Sequence, residues 1–97
     1  MSKPQVLIAL GETYEAMQTP QPALDAFSQA YEMIRSSDDH ARKLVCLREI
    51  ARLRMGMGQQ REAIMALQQA IDLAHVLEMP EEQLLRDTLA EWKQQTP

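Results

Sequence analysis

Arg48 and Arg52 stand four residues apart, the spacing that puts two side chains on one face of a helix. Val45 and Met55 fall in the same stripe. Two guanidinium groups beside an apolar strip offer bidentate hydrogen bonds to carboxylates, the chemistry for gripping an acidic, partly apolar peptide. A solvated, charged helix face is the plain alternative. Two adjacent acid pairs, Asp38-Asp39 and Glu81-Glu82, have the residue types for general acid–base work. Both stand at expected helix starts, where capping and the positive end of the helix dipole account for them. Cys46 lies among Leu44, Val45 and Leu47, the setting of a small buried hydrophobe rather than a nucleophile. His40 and His75 are isolated from it, and no spacing of His, Cys and acidic residues suits a metal. With no Ser/His/Asp arrangement and no Gly-rich phosphate loop, the residues imply no enzyme, no cofactor and no metal.

The elements that must carry these residues are helices. Of 97 residues, 45% are hydrophobic but only 4% aromatic, and there are three glycines, too few of either for a small β fold. Straight-chain helix formers dominate instead. Ser2-Lys3-Pro4-Gln5 reads as a capping box, followed by apolar Val6, Leu7, Leu10, Tyr14 and Met17 at helical spacing. Thr19 is the expected N-cap of a second helix that opens on Pro20 and Pro22 and carries Ala23, Leu24, Phe27, Ala30, Tyr31 and Ile34. Ser36-Ser37-Asp38-Asp39 breaks the chain before a third helix with Leu44, Leu47, Ile50, Ala51 and Leu53. Gly56-Met57-Gly58 closes that one. A fourth helix bears Ala63, Ile64, Leu67, Ala70, Ile71 and Leu73. A fifth, after Met79-Pro80, bears Leu84, Leu85, Leu89 and Trp92. Met17, Met33 and Met65 read as core or interhelix filler. Trp92 reads either as a seal on the core or as an anchor for a partner.

Sliding the chain against itself reveals a repeat. At an offset of 40, Leu7, Met17, Ala23, Ala26, Gln29 and Ala30 meet identical residues. Leu10/Ile50, Leu24/Ile64, Phe27/Leu67, Tyr31/Ile71, Glu32/Asp72 and Met33/Leu73 are conservative pairs. The recurring small residues are those that let two helix backbones approach. With Leu10-Gly11-x-x-Tyr14 followed by Ala23-x-x-x-Phe27-x-x-Ala30, the chain resembles tetratricopeptide repeats, here in a long-period form like that of kinesin light chains and bacterial regulators. Ala51 and Arg54 depart from the family pattern, which favours glycine and an aromatic residue there. The resemblance implies an all-α fold, an α-solenoid of two helix hairpins plus a C-terminal capping helix. As one domain over residues 1–97, the first repeat spans about 4–37, the second about 38–78, and the cap about 80–95.

The resemblance also implies a partner-binding groove lined by the first helix of each unit, with Ile8, Glu12 and Glu15, then Val45, Arg48, Arg52 and Met55, and Trp92 from the last helix. Ile8 and Glu12 stand where carboxylate-clamping members of the family have Lys and Asn, so that clamp is not expected. Arg48 and Arg52 either meet a partner there or pair internally with Glu12 and Glu15. The net charge of −4 hides a basic stretch, since residues 41–62 hold six arginines and lysines against two acids. The expected function is a non-enzymatic interaction module, an adaptor or scaffold for a protein or peptide partner. Self-association, as a homodimer or within a larger regulator, is the alternative, because two units are few for a stacked array. Net acidity, the absence of a helix-turn-helix and the scarcity of aromatics argue against nucleic-acid binding, which the basic third helix leaves as a remote alternative. The longest apolar run near the start, Val6–Leu10, is far short of the roughly 20 residues of a membrane span, and no secretory pattern is seen. One unpaired cysteine suits the cytoplasm.

Overall fold

The computed structural model describes residues 2–95; Met1, Thr96 and Pro97 lie outside the described residues. It holds five helices, α1 (Lys3–Ala16), α2 (Pro20–Ile34), α3 (His40–Gly56), α4 (Gln60–Val76) and α5 (Glu82–Gln95), and no strand among the described residues. The fold is the expected all-α helical repeat. Each helix packs chiefly on its successor: α1 on α2 and α3 on α4 as hairpins, α2 on α3 between them, and α5 on α4. The result is a slab of 41 × 31 × 18 Å. Helix ends recur in step with the sequence repeat, α1 ending at 16 and α3 at 56, α2 starting at 20 and α4 at 60.

The small residues set how close the helices come. Ala23, Ala30, Ala51, Ala63 and Ala70 are all fully buried. The approach is close at Gly11, where an added Cβ would lie 2.8–2.9 Å from three ring atoms of Phe27. Phe27, itself fully buried, therefore rests its ring directly on the α1 backbone. In the second hairpin the matching pair is Ala51 and Leu67, both in the main core. A methyl group replaces a hydrogen on one helix, and a smaller side chain replaces a ring on the other. The departure from glycine at Ala51 is thus offset across the interface.

Three of the four connections share one backbone solution. The amides of Thr19, Gln59 and Met79 return to the carbonyls of Tyr14, Arg54 and Ala74 at 3.0, 2.8 and 2.8 Å. The residue before each is left-handed: Gln18 at φ 60°, Gly58 at 80° and Glu78 at 52°. This is the helix-closing turn that glycine favours, with Gln18 and Glu78 accepting the steric cost. The α2–α3 connection differs. There the Asp39 carboxylate caps α3, accepting from the Arg42 amide at 3.3 Å.

Several expectations fail in detail. Thr19 does not cap α2; its hydroxyl donates back to the Tyr14 carbonyl at 3.0 Å. An N-cap side chain normally takes the second or third helical N–H, and the third residue here is Pro22, which has none. Met17, Met33 and Met65 are exposed rather than filling the core, at 62%, 47% and 59%. Met17 sits in the turn after α1. Met65, two residues past Ala63, points about 200° away from the buried stripe of α4. No residue of the expected stripe Val6, Leu7, Leu10, Tyr14 and Met17 is buried, Gly11 being the buried residue of α1, and Leu84 on α5 is also exposed.

Gly11→Ala is expected to destabilise the chain by about 1–3 kcal/mol through overpacking against Phe27. Phe27→Leu in the same chain, which copies the Ala51/Leu67 pair, should restore part of that loss. Denaturant unfolding of the single and double variants checks both.

Candidate functional site

Five of the eight residues expected at the groove are brought together. Glu12 and Glu15 from α1 and Val45, Arg48 and Arg52 from α3 line a concavity of about 450 Å³, joined by Ala16 and Glu49. The helical period explains the placement: Glu12 and Glu15 are three apart on α1, as Val45, Arg48 and the following turn are on α3. Ile8, Met55 and Trp92 do not line it. Ile8 and Trp92 are half-buried and pack against the core, Trp92 from the outer end of α5. Met55 is half-buried near the end of α3.

Arg52 is paired within the chain through one nitrogen, with its side chain 60% exposed. Its Nη2 donates to Oε2 of Glu15 at 2.8 Å and to Oε2 of Glu49 at 2.7 Å, so one nitrogen ties α1 to α3 across the concavity. Arg48 is held more loosely, its Nε donating to Oε1 of Glu49 at 3.4 Å. Glu12 is exposed and has no ion pair among the described residues. The concavity therefore offers one lightly held guanidinium, Arg48, and one open carboxylate, Glu12, beside the half-buried Val45.

Glu49 is the residue that sequence reasoning undervalued. It is 8% exposed, and burial raises its pKa above the ordinary 4.5. The neighbouring Glu15 carboxylate pushes in the same direction, while Arg52 and Arg48 pull it down. A signal was present in its spacing, since Glu49 adjoins Arg48 and stands three residues before Arg52.

Of the other candidate groups, Asp39 and Glu82 have structural partners, whereas His40 Nδ1 and Glu81 Oε1 are buried without a hydrogen-bond partner among the described residues. Asp39 caps α3 and pairs with Arg42 at 2.6 Å, and that hydrogen bond holds its carboxyl below the usual range. Glu82 joins Nδ1 of His75 at 2.9 Å and Arg86 at 2.8 Å; Arg86 and then His75 lower its pKa. Cys46 is fully buried, and burial pushes its thiol up to about 11, which keeps it protonated and unreactive at neutral pH. Among the described residues no three His, Cys, Asp or Glu side chains gather as a metal ion would require. No helix is long and apolar enough to cross a membrane.

The stacked hairpins and their small-residue contacts agree with a comparison of families: the tetratricopeptide repeat model matches residues 3–74. The chain belongs to the tetratricopeptide repeat family. Tetratricopeptide repeats generally mediate protein–protein interaction and are typically non-enzymatic. No curated protein and no solved structure matches the chain.

The raised pKa of Glu49 gives a stability prediction with a definite sign. A carboxyl held above its ordinary pKa in the fold stabilises it only while protonated. That contribution is complete below the unfolded value, 4.5, and is lost as pH rises through the higher folded value. Glu49→Gln keeps a hydrogen-bonding side chain but removes the titration. Its melting temperature should therefore gain on the unsubstituted chain as pH rises above the unfolded value of 4.5, measured by circular dichroism.

Proposed function

We propose that this tetratricopeptide repeat chain is an adaptor that binds a peptide or helix of another protein in the concavity between α1 and α3. The observation that carries the reading is that Arg48, 42% exposed along its side chain, and the open Glu12 line the same concavity. Arg52 is neutralised by two carboxylates, so Arg48 is the group that meets an acidic residue of the partner. Glu12 meets a basic one, and Val45 takes an apolar side chain between them. The bound segment is thus of mixed charge, with an acidic residue and an apolar residue at its centre. Glu15 and Arg52 fix the wall on which it lies. The free thiol of Cys46 supports a reducing, cytoplasmic setting.

Peptides selected on the immobilised chain from a displayed random library test this. Their sequences should centre on Asp or Glu beside an apolar residue. Arg48→Glu should weaken the best of them by about tenfold, as expected when a charge-assisted hydrogen bond becomes a like-charge contact. Equal affinity for the two proteins would place the binding surface elsewhere.

A further inference from the structure

We infer that Glu49 sets the specificity of the α1–α3 concavity by taking up a proton when an acidic residue of the partner docks on Arg48. This role rests on the concavity being the peptide site proposed above, and it names the group that makes occupancy of that site depend on pH. The charges there are balanced as they stand. Two guanidinium groups, Arg48 and Arg52, are bonded to two carboxylates, Glu15 and Glu49. An Asp or Glu of the partner on Arg48 brings a third carboxylate to the same two cations, and the set then has one negative charge in excess.

The excess falls on Glu49 because of where the carboxylates stand. The partner's acid arrives from solvent, and water continues to screen it at the open rim. The side chain of Glu15 is 20% exposed, and that of Glu49 only 11%. Both oxygens of Glu49 are committed, Oε1 to Arg48 at 3.4 Å and Oε2 to Arg52 at 2.7 Å. Arg52 is already shared with Glu15, and the partner takes a share of Arg48 as well. A carboxylate that has lost its hydration and then part of its counter-charge is stabilised by binding a proton.

That proton has a place to go. Hydrogen bonding between Glu49 and Glu15 raises the pKa of Glu49, and two carboxyl groups share such a bond only when one of them is protonated. Burial, the largest cause, acts in the same direction, so the affinity of Glu49 for a proton is raised before a partner arrives. The charged groups that face it are Glu12 and Glu15 from α1 and Arg48 and Arg52 from its own helix. Among the described residues α2, α4 and α5 add nothing to this lining, and it holds no histidine. Because binding takes up a proton, affinity for an acidic segment is greatest where Glu49 is protonated. It declines as pH rises through the raised folded value.

The probe is the best peptide from the displayed library, resynthesised with cysteic acid in place of its central Asp or Glu so that its own anion does not titrate. Isothermal titration in buffers of differing ionisation enthalpy counts the protons exchanged on binding. The unsubstituted chain should take up a fraction of a proton, at most about one, in the pH range above 4.5, and its affinity should fall as pH rises there. Glu49→Gln should abolish the uptake, flatten the pH dependence and bind about fivefold tighter at neutral pH. Circular dichroism checks that this variant folds, and the proton count on the unsubstituted chain requires no variant. Binding without proton uptake anywhere in that range would overturn the proposal, as would uptake that survives Glu49→Gln. Uptake that survives Glu49→Gln but is lost in Glu15→Gln would give the proton to Glu15 instead. Failure to select any peptide, or equal binding by Arg48→Glu, is a separate result: it removes the peptide site itself, and the role of Glu49 with it.

Discussion

The ring of Phe27 lies on the backbone of Gly11, and the position of α1 follows from that contact. A helix in solution has no reason to approach its neighbour more closely than its side chains permit. Removing one side chain altogether lets a flat ring act as the spacer. The rotation of α1 about its axis is then fixed, which turns Glu12 and Glu15 toward α3 and leaves Val6 and Leu10 on the opposite, outer side. The second hairpin reaches similar spacing by a different division of volume, Ala51 against Leu67. The orientation of both faces of α1 therefore traces to one missing Cβ.

Electrostatics then refines what packing has placed. Arg52 binds one carboxylate from its own helix and one from the preceding hairpin through a single nitrogen. Each such exposed pair contributes little alone, about 0–1 kcal/mol. Here the pairing has a geometric consequence as well, because it joins α1 to α3 across the concavity. The buried Glu49 carries the cost of this arrangement. It serves both arginines while losing most of its own hydration.

Much of the fold could be read from residue spacing. The offset of 40 and the recurrence of Ala23, Ala26 and Ala30 as Ala63, Ala66 and Ala70 place the hairpin contacts without coordinates. Helix starts and stops were legible where their chemistry is local, as at Asp39 and Gly58. Thr19 shows the limit of such reading, since its hydroxyl has a choice of partners and the neighbouring prolines decide it. Exposure was the larger failure. Val6, Leu10 and Met33 have the periodicity of core residues, because a repeat writes the same stripe into every unit whether or not a neighbour is there to cover it. Of the groove, the spacing of Arg48 and Arg52 was visible and pairing with Glu15 stood as one of two readings, but not which arginine would take it. That depends on a carboxylate 37 residues away in sequence.

Cys46 gives this architecture a clock. Its thiol sits between the two hairpins, against Ala30 and Ile34, with no exposed surface and a pKa near 11. An alkylating reagent can reach it only when the α1 and α2 residues packed on it move away or α3 unfolds, so the rate of modification reports the opening of this part of the array. A native residue thereby reports how often a short helical array loosens at this point.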